Sequence, residues 1–204
     1  GHETSFAQVA AEWLGVPVQC ISVIVGDTDV VKVGGGSHSG RSMRMAGTVI
    51  VKAADELIDK GKKLAAHVLE AAETDIEFKD GQFGIGGTDR QIDLFELAGV
   101  FEKHENLPEE LGGGLSVIED NVMETPVFPN GCHICEIEID PQTGAFEIAR
   151  YTTVDDVGRA INPLIVDGQT HGGIVQGAGE ALGELCAMDT ETGQPLAGSF
   201  MDYH

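Results

Sequence analysis

Two glycine-rich stretches carry the residues best suited to chemistry: Gly34-Gly-Gly-Ser-His-Ser-Gly-Arg-Ser42 and Gly168-Gln-Thr-His-Gly-Gly-Ile-Val-Gln-Gly-Ala-Gly179. Bare backbone can approach a ligand closely, and successive N–H groups make an anion site that a following helix N-terminus strengthens. The first stretch runs into a long helical pattern; the second is read as opening a helix itself. Together they suggest a chain that wraps an extended, phosphate-bearing ligand. Gly40, Arg41 and Ser42 offer backbone N–H groups, a guanidinium and a hydroxyl, and arginine matches phosphate geometry best. The sequence leaves a second reading open, a surface loop whose Arg41 pairs with a local carboxylate. Gln169, His171 and Gln176 add amides and an imidazole to the second stretch. Gln176 suits a heterocycle or a terminal oxygen, or else a helix packed closely through its glycines.

Other residue types argue against alternative chemistries. Neither loop is a Gly-x-Gly-x-x-Gly between strand and helix with an acid about 20 residues on, and no Gly-Lys-Ser/Thr follows either. Ser5, Ser37, Ser39 and Ser42 lack a nucleophile-elbow context. Cys132-His-Ile-Cys135 has no second pair at zinc-ribbon spacing and sits in an alternating strand, where positions three apart face opposite ways. No metal ligand is assigned, and His2, His38, His133 and His171 are left without a role. Asp155-Asp156 cannot share a proton on a strand; Asp156 is expected to bond the turn around Gly158. With 34 acidic residues against 12 basic, the net charge is −22. Such a surface repels nucleic acid and anionic membranes. No apolar run approaches the roughly 18 residues of a membrane helix, and Gly1-His-Glu-Thr4 lacks signal-peptide character.

The elements that must position these groups follow from periodicity. Phe6, Val9, Ala10, Trp13 and Leu14 predict a helix ended by Gly15-Val-Pro17, with Ser5 and Gln8 spaced as a capping box if it begins there. Val18 to Val25 reads as a strand, and Gly26-Asp-Thr-Asp29 as a turn. Residues 45–72 read as a helix that Gly61 could bend. Lys79-Asp-Gly81 marks a hairpin, residues 92–100 a short helix and 102–114 a connection. Leu115 to Glu124 reads as a strand. The clearest hairpin joins Cys132–Ile139 to Ala145–Asp155 through Asp140-Pro-Gln-Thr-Gly144. Asn162-Pro163 precedes a helix over 165–183, followed by a short strand near 185–188 and a turn at 190–193. These predict an α+β chain with mixed sheets and packed helices in two lobes, 1–113 and 114–204.

With the motifs in order, the chain resembles the molybdenum hydroxylases, the family of xanthine dehydrogenase, aldehyde oxidase and the aerobic carbon monoxide dehydrogenase large subunit. The landmarks are Gly1-His-Glu-Thr-Ser-Phe-Ala-Gln8, Gly26-Asp-Thr-Asp29, Gly40-Arg-Ser42, Phe128-Pro-Asn-Gly-Cys-His133, Asp155-Asp-Val-Gly-Arg159, Ile161-Asn-Pro163, Gly168-Gln169, Val175-Gln-Gly177 and Ser199-Phe-Met-Asp-Tyr203. The resemblance implies a large-subunit fragment whose parent oxidises a carbon centre with water-derived oxygen. It implies a molybdopterin cytosine dinucleotide cofactor bearing molybdenum, and partners comprising iron–sulfur and flavin subunits or domains, the rest of the large subunit and a small-molecule substrate. Cofactor contacts fall on Gly40, Arg41, Ser42, Gln169 and Gln176. The family's catalytic glutamate lies downstream of the residues matched by Met201-Asp-Tyr203, so no catalytic residue is assigned here, and Glu180 is not that base. The isolated chain is expected to be cytoplasmic, cofactor-free and inactive. The alternatives are a non-catalytic acidic binding or assembly module and a natural split subunit.

Overall fold

A computed structural model describes residues 1–103, 107 and 114–203. They form two compact units, Gly1–Gly158 and Arg159–His204. The connection expected over 102–114, with the lobe boundary at 113/114, lies mostly outside the described residues. The α+β expectation holds. Every described strand pairing is antiparallel, so the expected mixed sheets resolve into two small antiparallel ones.

In the first unit, helix α1 (His2–Leu14) starts at an N-cap on Gly1, ahead of the expected Ser5–Gln8 capping box; Ser5 is instead buried inside it. Gly15, at φ 61°, ends the helix. Helix α2 (Arg41–Val68) runs unbroken through Gly61. A Cβ at Gly61 would strike the fully buried Phe83 ring, so this glycine allows close packing rather than a bend. Trp13 Nε1 donates to Asp55 Oδ1 at 2.7 Å. His2 and Phe6, near the start of α1, share a cleft with Ser42, Met45 and Ala46 near the start of α2. The two helices therefore run parallel.

The core of Leu64, Ala65, Ile76, Phe83, Ile92, Leu94 and Leu97 joins α2 to a three-stranded sheet and a helix. Strands β1 (Ile76–Lys79) and β2 (Gln82–Ile85) meet through Asp80 and Gly81, both at positive φ, as a two-residue hairpin turn demands. Strand β3 (Gln91–Asp93) claims Ile92, which pairs with Phe83, so helix α3 (Leu94–Lys103) begins later than expected. Asp93 Oδ1 accepts from the Phe95 N–H at 2.8 Å and caps it.

Two expected strands do not form among the described residues. Val18–Cys20 is a short 3₁₀ turn, and 21–25 is irregular and without a ladder partner. β-branched composition alone does not make a strand without a neighbour to pair with. Residues 115–124 are likewise irregular, held to α2 by side chains: Lys60 Nζ donates to the Ser116 carbonyl at 3.1 Å, and Lys52 Nζ to Asn121 Oδ1 at 2.7 Å. Arg44 donates to the Thr125 carbonyl just beyond.

The second sheet is the ribbon β4 (Asn130–Ile139) and β5 (Phe146–Asp156), its turn fastened by Asp140. The register shifts between Glu136 and Ile137: Glu136 pairs with Arg150 and Ile137 with Ile148, leaving Ala149 as the extra residue of a β-bulge.

In the second unit, helix α4 (Pro163–Leu182) starts two residues before its expected position. Asn162 Oδ1 accepts from the Ile165 N–H at 3.1 Å, and Pro163 suits the first turn. The strand expected near 185–188 reduces to a single bridge, Met188 with Pro195, beside the Asp189–Gly193 turn.

Candidate functional site

The parallel packing of α1 and α2 sets their N-termini side by side. Their N-caps, Gly1 and Gly40, make no side-chain cap hydrogen bond. Each helix start presents N–H groups outside the i→i−4 ladder and the positive end of a helix dipole. The cleft they share, about 270 Å³, is lined by His2, Phe6, Val25, Gly36, Arg41, Ser42, Met45 and Ala46. Gly40 sits at φ 67° directly after Ser39 at φ 54°, so the loop turns sharply into α2.

Arg41 folds back over this loop. Its Nη1 donates to the Gly35 carbonyl at 2.8 Å, and its Nε lies 3.4 Å from Met45 Sδ. A Cβ at Gly35 would sit 3.0 Å from Arg41 Nη2, so the bare backbone there leaves the guanidinium room. The carboxylate pairing left open by the sequence is not among the ion pairs of the described residues. Ser42 Oγ lies 2.7 Å from Ser37 Oγ, which is 3.4 Å from His2 Nε2. Arg41 and Ser42 thus face one cleft, directly after the Gly40 turn. Ser37 of the same loop and His2, a residue left without a role above, join them; only the parallel helix packing brings residue 2 beside residue 42.

The second glycine-rich stretch differs from its expected form. Gly168–Gly179 lies inside α4, because Asn162-Pro163 starts the helix earlier, and its N–H groups belong to the helical ladder rather than to an open cradle. What it offers is side chains and bare surface. Gln169 and Gln176 are exposed and seven residues apart, hence on one face, and a Cβ at Gly168, Gly172, Gly173 or Gly177 would meet nothing within 4 Å. Gln176 Nε2 is 3.4 Å from Glu180 Oε1. Gln169 and Gln176 belong to the second unit, and Arg41 to the first.

Over residues 1–204 the sequence matches the profile of the molybdopterin cofactor-binding domain. The chain belongs to that family. It is 39% identical over 206 residues to the 6-hydroxypseudooxynicotine dehydrogenase complex subunit gamma of Paenarthrobacter nicotinovorans, covering 100% of this chain and 25% of that protein. It is 34% identical to the carbon monoxide dehydrogenase large chain of Hydrogenophaga pseudoflava, with the same coverage. The solved structure of reconstituted CO dehydrogenase from Oligotropha carboxidovorans matches with a TM-score of 0.81 at 34% identity, over 100% of this chain and 25% of that one. The chain therefore spans about a quarter of the length of these relatives.

For a molybdopterin-binding domain, the α1/α2 junction has a fitting donor set: the glycine-capped start of α2, the Ser42 hydroxyl, an imidazole and a guanidinium beside one cleft, with Ser37 Oγ 2.7 Å from Ser42 Oγ. Among the described residues, no three His, Cys, Asp or Glu side chains gather as a metal site. Cys132 and Cys135 pair with Val154 and Tyr151, on opposite faces of the ribbon. Asp156 Oδ1 accepts from the Gly158 N–H at 3.0 Å, as expected. His133, left without a role by the sequence, bonds Asp155 at 2.9 Å. Among the described residues no helix is long and apolar enough to cross a membrane.

Proposed function

We propose that this domain belongs to the large subunit of a molybdenum-dependent hydroxylase or dehydrogenase that oxidises a carbon centre with water-derived oxygen. Its first unit holds the phosphates of a molybdopterin cytosine dinucleotide at the start of α2. The observation that carries the reading is the glycine-rich loop ending on Gly40, with Arg41 and Ser42 lining a cleft shared with the N-terminus of α1. Arginine has five N–H donors; one serves Gly35 and another points at Met45, leaving three for a phosphate. The Gly40 and Ser42 N–H groups and the Ser42 hydroxyl complete the cradle, while Gln169 and Gln176 contact the cofactor from α4. The cofactor supplies the redox chemistry; the residues of this chain bind and orient it.

The parent's partners are iron–sulfur and flavin subunits or domains, the remainder of the large subunit and a small-molecule substrate, and it works in the cytoplasm. Nucleic acid and membrane are not partners, given a net charge of −22. The 204-residue chain alone folds but carries no molybdenum and oxidises nothing, because a site with part of its shell missing leaves ligand phosphates exposed to water. Elemental analysis of the purified chain, with assays on aldehydes, purines and carbon monoxide and an artificial electron acceptor, tests this. Stoichiometric molybdenum with turnover would refute it.

A further inference from the structure

The base of the β4–β5 ribbon carries a hydrogen-bonded chain that the cofactor reading does not use. His133 Nε2 lies 2.9 Å from Asp155 Oδ1, and Nδ1 lies 3.2 Å from the Tyr151 hydroxyl, whose ring meets the imidazole edge-on. Thr153 Oγ1 donates to the other oxygen of Asp155 at 2.8 Å. The bulge at Ala149 makes this possible: beyond it, Tyr151, Thr153 and Asp155 lie opposite Cys135, His133 and Gly131. The absent side chain of Gly131 completes it, since a Cβ there would overlap Asp155 Oδ1.

An ionised Asp155 can only accept, so the neutral imidazole carries its proton on Nε2, and Nδ1 accepts from the Tyr151 hydroxyl. The chain ties β4 to β5 four residues after Pro129, and a Cβ built on Gly40 would lie 3.6 Å from Pro129 Cγ. We infer that His133, held between Asp155 and Tyr151, is a positioning residue: it pins the ribbon base and, through Pro129, fixes the Gly40 N-cap of α2. The inference rests on the reading of Gly40, Arg41 and Ser42 as the cofactor cradle, but its geometry is a property of the chain alone.

Amide hydrogen exchange and imidazole ¹⁵N spectra of the 204-residue chain, with no cofactor, test it. His133→Leu removes both bonds. It is expected to speed exchange roughly three- to tenfold at residues 131–133 and at the Arg41 N–H, which donates to the His38 carbonyl. Amides beside the Asp140 turn stay unchanged. His133→Gln, whose amide can still reach Asp155, restores part of the protection. Gly131→Ala, which displaces Asp155 without touching His133, reproduces the loss and carries the test with the Gln variant if the Leu variant does not fold. The wild-type spectrum is expected to place the neutral proton on Nε2. A proton on Nδ1, or faster ribbon exchange with an unchanged Arg41 N–H, or an unchanged Gly131→Ala profile, would overturn the inference. Failure of the cofactor reading would appear elsewhere, as undiminished molybdenum in Arg41 variants of the parent, with these exchange rates as expected.

Discussion

Gly61→Ala should destabilise the fold although it places a better helix former inside α2. At an unobstructed helical position, glycine to alanine gains about 0.8–1 kcal/mol. At Gly61 the new Cβ would lie 2.7 Å from Phe83 Cε1 and 3.0 Å from Cε2, and Phe83 is fully buried. Overpacking of that kind costs about 1–3 kcal/mol, so the balance runs from near zero to a loss of about 2 kcal/mol. At about 2–4 °C per kcal/mol in a chain of this size, the largest fall in Tm is about 8 °C. Gly47→Ala in the same helix is the control, because its Cβ would meet only Met43 Sδ at an ordinary 3.8 Å. It should gain up to about 1 kcal/mol from the same propensity difference. Urea denaturation of both variants, followed by circular dichroism, measures the contrast. If Gly61→Ala proved as stable as Gly47→Ala, the packing of Phe83 on α2 would be wrong.

Asp140 is held below the usual carboxylate range by the Gln142 N–H first and then the Thr143 hydroxyl. A depressed folded pKa gives stability that is present above the unfolded value of about 3.9 and is lost as pH falls through the folded value. Protection of ribbon amides should therefore weaken below about pH 4 in the wild type, and Asp140→Asn should remove that part of the pH dependence in hydrogen-exchange profiles. Cys132 and Cys135 should bind no metal: elemental analysis is expected to find no stoichiometric zinc, and zinc lost in a double Cys→Ser variant would contradict the ribbon geometry.

Local signals made much of this fold legible. Gly15 ends α1, Asp80-Gly81 turns β1 into β2, Asp140 to Gly144 closes the ribbon, and Asn162-Pro163 starts α4; each acts through its own backbone preferences. Non-local pairing was not legible. Residues 18–25 and 115–124 have strand-like composition, but nothing in their own sequence shows that a ladder partner is missing. The bulge at Ala149 matters most for the ribbon. Counting back from the turn without it places His133 opposite Thr152 and sends Asp155 to the other face, because a slip of one residue reverses a strand's sides. For the site, Gly40, Arg41 and Ser42 were readable as a loop meeting a helix, with Ser37 in the same loop, whereas His2 depends on how α1 lies along α2.

In the proposed function, the Gly40–Ser42 end of α2 grips a phosphate of the cofactor. The most direct test is cofactor content in the parent large subunit carrying Arg41→Ala or Arg41→Lys, measured as molybdenum and released cytidine nucleotide per protein. Losing a charge-assisted, two-pronged contact should weaken binding roughly 10- to 100-fold. Alanine should therefore deplete both quantities together, and lysine, which keeps the charge but loses the fork, should deplete them less. Full molybdenum and nucleotide in the Arg41→Ala protein would show that Arg41 does not hold the cofactor.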